Sequence, residues 1–227
     1  MLDTTVVASG RLRFGEMLDY EFPSFVMESR DMGTLVAAAG NTEPQALGPL
    51  HASGLFRGNM EMAVFRGNMA FDAEQFAGEF SSTLSSRPHI GATLWASNVI
   101  QLAKRSGGAV GSGWLGLRRF DGKLSLNAPG FELGPILLTD ANLEVLLDDG
   151  VLQVTNLSGR LTSGDVLLSG SLDVRSDLPV LNFGGTLSGL DVSRAIVMSG
   201  KRDSFDADNL TVNLSGSLRI ENLSLHS

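Results

Sequence analysis

Cysteine is absent from the 227 residues, which removes disulfides, thiolate metal sites and thiol nucleophiles together. The absence fixes no compartment, because proteins of oxidising compartments fold without disulfides as well as with them. Charge is scarce too. Asp, Glu, Lys and Arg make up 19% of the chain, and 17 basic residues face 25 acidic ones with no basic cluster. Nucleic-acid binding draws most of its affinity from Lys and Arg on phosphates, so the charge balance argues against a DNA- or RNA-binding module. Long apolar runs are missing: the longest, Leu35 to Ala39, falls far short of the roughly 18 residues of a membrane helix. The opening Met1-Leu2-Asp3-Thr4-Thr5 carries acid where a secretory signal carries base, and no apolar segment follows.

What the chain has in quantity is glycine, 27 residues, beside 43% hydrophobic residues. That pairing predicts a well-stocked core and many turns between short strands. Period-2 alternation is the dominant pattern. Leu210, Val212, Leu214, Gly216, Leu218 and Ile220 fall on one face, with Thr211, Asn213, Ser215, Ser217 and Arg219 on the other. Val166, Leu168, Gly170, Leu172 and Val174 repeat the pattern, as do Phe76, Gly78, Phe80 and Leu84, and then Ile90, Ala92 and Leu94. Leu143, Val145 and Leu147 begin a strand that stops at Asp148-Asp149-Gly150, a hairpin signal from which Val151 pairs back.

A five-residue unit recurs along these strands: apolar, polar, glycine, polar, apolar. It appears at Ala8 to Leu12, Leu157 to Leu161, Leu168 to Leu172 and Leu214 to Leu218, and at Ala52 to Phe56 with Leu55 in the second polar place, and Phe56 to Met60 is copied at Phe65 to Met69. Glycine on the apolar side of a strand marks a bend, a bulge or a close neighbour. Two stretches break the rhythm, Ser97 to Arg105 and Asp191 to Met198, and both read as short capping helices. The small-residue stretch Ser106 to Gly113 reads as a boundary between two similar units.

No motif for catalysis assembles. Gly111-Ser112-Gly113-Trp114-Leu115-Gly116 spells a dinucleotide fingerprint, but the alternating residues after it are not the helix that the motif needs. His51, His89 and His226 lie far apart, and Asp148, Asp149, Asp203, Asp206 and Asp208 lack the ligand spacing of a calcium loop. The Asn-Leu-Ser/Thr sequons at Asn156, Asn209, Asn213 and Asn222 are what a polar-Leu-polar rhythm produces by itself. The chain is therefore expected to be no enzyme, with no catalytic residues, no metal and no cofactor.

From Phe120 to Met198 the order of features resembles the carboxy-terminal region of the AsmA family of bacterial envelope proteins. Gly122 to Leu126, then Leu133 to Leu143, resemble its strand followed by an L-x-x-A-x-L strand; Asp149 to Leu152 its hairpin; Leu157 to Leu161 and Leu168 to Leu172 its next strands; and Gly185 to Val192 the closing strand that leads into a short helix. The resemblance implies a mainly β fold, a repetitive curved antiparallel sheet, groove-like, with two short capping helices. It divides the chain into a β segment over 1–49, a degenerate repeat over 50–112, a second repeat over 113–200 and the start of a further one over 201–227. By resemblance, too, the chain is a periplasmic piece of a longer AsmA-like protein, similar to TamB-like proteins, anchored in the inner membrane by an amino-terminal helix that this sequence lacks. Phospholipid acyl chains and the envelope membranes would be its partners, in outer-membrane assembly and lipid movement between membranes. The residues expected to line the apolar groove are Leu143, Val145, Leu147, Val166, Leu168, Leu172, Val174, Leu210, Val212, Leu214 and Leu218. The competing expectation is a β-solenoid or adhesin-like protein in which the same leucines close a dry core.

Overall fold

The computed structural model describes residues 4–31, 48–101, 117–133, 136–162, 164–176, 179–190 and 210–219. Strand-forming alternation runs through nearly all of them, and they build one sheet of thirteen strands. These are β1 (Thr4–Phe14), β2 (Leu18–Ser29), β3 (Leu50–Gly58), β4 (Met62–Phe71), β5 (Glu74–Thr83), β6 (His89–Ala96), β7 (Ile100–Gln101), β8 (Asp121–Leu133), β9 (Ile136–Asp148), β10 (Val151–Leu161), β11 (Gly164–Asp173), β12 (Val180–Leu190) and β13 (Leu210–Arg219). Neighbours in the chain are neighbours in the sheet from β1 to β6 and from β8 to β13, each pair antiparallel. The two runs meet where β8 lies parallel to β6, and β7 pairs parallel with the far end of β8.

The sheet is open, with β1 and β13 at its edges. Among the described residues every extensive contact between elements is between strands paired in this sheet, so no second sheet or helix layer packs on it. A solenoid stacks its coils in parallel; a meander of antiparallel neighbours is a different architecture. The sheet also runs unbroken across the expected boundaries at 49/50, 112/113 and 200/201, because β2 pairs β3, β6 pairs β8 and β12 pairs β13.

The Asp-Gly hairpin forms as expected. Asp149 and Gly150 take φ of 45° and 73°, the two left-handed residues that match a tight turn to strand twist. The helix expected over Ser97 to Arg105 is corrected where it is described. Residues 97–101 are a bend followed by β7. Ile100, only 6% exposed, pairs with Phe131 in the core cluster, and burying that side chain beside β8 outweighs the weak capping signal of Ser97. Residues 102–105 and the second expected helix, Asp191 to Met198, lie outside the described residues.

At the parallel junction one end of the sheet is closed by charge. Arg87 donates through Nε and Nη2 to both carboxylate oxygens of Asp121, at 2.7 and 2.6 Å, and through Nη1 to Asp149 at 3.1 Å. The N–H of Asp149 donates to Asp121 at 2.9 Å. Three connections are thus tied together: the loop before β6, the start of β8 and the β9–β10 turn. Arg118 adds a fourth, donating to the carbonyls of Val174 and Ser176 after β11 at 2.6 and 3.0 Å. The hydrogen bonds from Arg87, then the N–H of Asp149, hold the Asp121 carboxyl below the usual aspartate range. Asp173 is pulled down to about 2 by the side chain and backbone N–H of Arg175.

A carboxylate whose pKa is lower folded than unfolded stabilises the fold above its unfolded value, near 4, and ceases to do so as pH falls through its folded value. Thermal stability should therefore hold from neutral pH to about 5 and decline below about 4. Arg87→Ala should lower the melting temperature at neutral pH and make that acid decline shallower, because it removes the Asp121 share; an unchanged acid profile would refute the role given to the clasp. The fold also demands close approach at one glycine pair. Gly54 and Gly67 face each other, and a Cβ on either would lie 2.7 or 2.8 Å from the other's Cα. Gly67→Val should cost about 2 to 3 kcal/mol in urea unfolding.

Candidate functional site: one apolar sheet face

The register decides what each face presents, because successive side chains point to opposite sides. One row across the sheet, from β1 to β13 and omitting only β7, reads Ala8, Phe25, Gly54, Gly67, Gly78, Leu94, Leu126, Leu143, Leu157, Leu168, Gly185 and Leu214. Every position is apolar or glycine. The row on one side runs Phe56, Phe65, Phe80, Ala92, Leu124, Val145, Val154, Gly170, Phe183 and Gly216. On the other side Val6, Met27, Ala52, Met69, Phe76 and Ala96 lead to Ala128 and Ala141, and Val166, Leu187 and Val212 resume it. A fourth row, from Leu12 and Tyr20 to Leu172, Leu181 and Leu218, admits a single hydroxyl among its side chains apart from the tyrosine, that of Ser82. At about 4.8 Å per strand this apolar face extends about 50 Å across the sheet.

Glycine and aromatic residues work as complements on this face. In all five copies of the recurring unit the glycine falls on the apolar side. Large neighbours lie over glycines of this face: a Cβ on Gly58 would meet the Tyr20 ring at 2.9 Å, and one on Gly216 would overlap the Phe183 ring. In β2 to β4 the rings of Tyr20, Phe56, Phe25 and Phe65 form a chain, with centroids 5.3, 5.0 and 6.0 Å apart. Such contacts add to the area that the rings bury.

The residues expected to line a groove fall on this one face. Leu143, Val145 and Leu147 sit on β9, Val166, Leu168 and Leu172 on β11, and Val212 and Leu214 on β13. Leu210 and Leu218 share the backbone register of the same face. They are not equally open, however. Leu147, Val166 and Leu172 are buried, Leu143, Val145, Leu168 and Val212 are half-buried, and Leu214 is 43% exposed. Val174 is a core residue at the sheet end: it is 1% exposed, its N–H donates to Gly150, and its carbonyl accepts from Arg118. The buried centre of the face includes Leu126, Ala128, Phe131, Leu138 and Ala141. Sequence reasoning left these out of the lining, along with the β2 to β5 aromatics, although the Phe76, Gly78, Phe80 alternation already carried the signal.

The opposite face is polar. It carries Arg66, which donates to Glu79 at 2.5 Å, and a ladder of amides on β8, β9 and β10. One depression near β1 to β4, about 360 Å³, is lined by Arg11, Arg13 and Arg57 interleaved with Asp19 and Glu21, a mixed field without preference for one sign. Among the described residues no group of three His, Asp or Glu is placed to hold a metal ion, and no helix is long and apolar enough to cross a membrane. Comparison of the chain with known protein families, with curated proteins and with solved structures returns no match.

The unequal exposure of the lining residues separates core from surface. Leu172→Ala, at a buried position, should cost about 2 to 4 kcal/mol in equilibrium unfolding, and Leu214→Ala less than about 1. Equal costs would mean that the face is covered evenly from edge to edge.

Proposed function

We propose that this chain is a non-enzymatic cell-envelope module, similar to the AsmA family, whose apolar sheet face carries phospholipid acyl chains between membranes. The observation that supports it is the unbroken apolar face over twelve strands, with no second layer upon it among the described residues. Backbone polar groups are engaged within the plane of the sheet, so the face offers non-directional contact and asks no hydrogen bond of its occupant. Acyl chains meet that requirement, at roughly 25 cal/mol for each Å² of apolar area withdrawn from water. Exposed members of the face near one edge, Phe183 at 47% and Leu214 at 43%, leave apolar surface available to a mobile ligand. A periplasmic position beside the inner membrane, and a role in outer-membrane assembly, follow from the same resemblance.

The test compares the two faces. The purified chain should carry phospholipid in native mass spectrometry and bind a fluorescent fatty acid. Phe183→Glu and Leu214→Glu, which place charge on the apolar face, should reduce that binding at least about tenfold, the cost of desolvating a carboxylate. Leu167→Glu lies at an equally exposed position, 55%, on the polar face and should leave binding unchanged. Lipid-free protein that ignores the probe, or equal losses from both faces, would overturn the proposal.

A further inference from the structure

The polar face holds a second, chemically distinct surface. All the phenylalanines and the tyrosine described within strands lie on the apolar side, but Trp95 of β6 lies on the polar side with 52% of its surface exposed. Across the sheet its row continues through Asn127, Asn142 and Ser158. The amides are joined: Asn142 Nδ2 donates to Asn127 Oδ1 at 2.9 Å, and Asn156 Nδ2 to Asn142 Oδ1 at 2.6 Å and to Ser158 Oγ at 3.2 Å. The adjacent row on this face is Thr93, Ser125, Glu144 and Asn156.

We infer that this platform, Trp95 with the Asn127–Asn142–Asn156 ladder, is a binding site for an uncharged saccharide chain. A pyranose ring has one face of C–H bonds and a rim of hydroxyls. It needs a flat aromatic surface and a set of donors and acceptors in the same plane. The exposed indole supplies the surface, and its N–H has no partner among the described residues. The ladder supplies the rest. Each carboxamide spends only part of its capacity on its neighbour, so Asn127 keeps both amide hydrogens and Asn156 keeps its carbonyl oxygen. The side-chain oxygens of Thr93, Ser125 and Glu144 likewise make no bond among the described residues and flank the same strip. The mutual amide bonds fix the ladder before a ligand arrives, which lowers the ordering cost of binding. The strip crosses β6, β8, β9 and β10, about 15 Å at the usual strand spacing, enough for two or three sugar rings. Its two rows carry one charged group, the acidic Glu144; beside them on the same face lies Lys123 of opposite sign, while Arg66 is engaged by Glu79 and Arg160 by Asp140, so the charges balance. A neutral chain therefore fits better than an anionic one.

The experiment uses the full chain carrying Trp114→Phe, which leaves Trp95 as the sole indole. Its fluorescence is titrated with hexamers of β-1,4-linked glucose and of β-1,4-linked N-acetylglucosamine. At least one hexamer should change the emission saturably. A competition assay with the labelled hexamer should then show Trp95→Ala weakened by about tenfold or more and Trp95→Phe by less, since a phenyl ring keeps the stacking surface. Should Trp95→Ala fail to fold, Asn127→Leu reads the same site without removing the ring, and it should weaken binding as well. Failure of both hexamers to bind, or binding that survives Trp95→Ala or Asn127→Leu unchanged, would overturn the inference, and a response only to a protein ligand would count against it equally. Fatty-acid binding should be unaffected by Trp95→Ala, so the result does not depend on the fate of the lipid reading.

Discussion

Everything in this molecule depends on the register of neighbouring strands. A side-chain period of two gives each strand one binary choice, and here twelve strands choose alike. A slip of one residue in β9 would move Leu143, Val145 and Leu147 to the polar side and bring Asn142 and Glu144 to the apolar one. The backbone ladder alone tolerates such a slip, because its hydrogen bonds re-form at the next position. The side chains do not. The bonds among Asn127, Asn142 and Asn156 form only in the observed register, so the polar face helps to fix the alignment from which the apolar face gains its continuity.

That continuity survives places where the alternation loses phase. Phe22 and Phe25 are three residues apart, yet both face the apolar side, because the register with β3 shifts between them around Pro23. Val154 and Leu157 are related in the same way in β10, and Leu187 and Leu190 flank a shift in β12 near Gly189, at φ 69°. Asp140, at φ 48°, sits where β9 carries one more residue than β10. Each extra residue re-aims the strand. A proline in β2 has no N–H to lose from the ladder at such a point, which is where sheets admit it.

These phase shifts explain what could be read from the sequence and what could not. Strands with unbroken alternation, β11 and β13, were legible nearly to their ends. The Asp149-Gly150 turn was legible because its residues require positive φ. β2 is hidden, since its apolar residues change parity at Pro23, and β7 lies inside a stretch, Ser97 to Arg105, that reads as a helix because two strand residues carry no period at all. The apolar lining was legible only where leucine marked it. On β2 to β5 the same face is written in phenylalanine and glycine, Phe25 beside Gly54 and Phe65 beside Gly67, and neither residue alone announces a lining. The Trp95 platform was not legible, because it needs β6, β8, β9 and β10 in register, and the first pair is parallel and joined across an intervening stretch of chain.

A single-layer sheet makes its two faces separable in a way that a sandwich does not. In a sandwich, one face of each sheet is committed to the other sheet, and only the outer faces meet a ligand. Here the backbone bonds lie in the plane, the Arg87–Asp121–Asp149 clasp closes one end, and among the described residues the two surfaces are left to side chains of opposite chemistry. The apolar side makes contacts proportional to area and indifferent to orientation; the polar side offers donors and acceptors at fixed spacings. A ligand on the first would be free to slide; one on the second would have to align. Both can be met on the same strands because alternate residues, Leu94 and Trp95 or Leu143 and Asn142, answer to different sides.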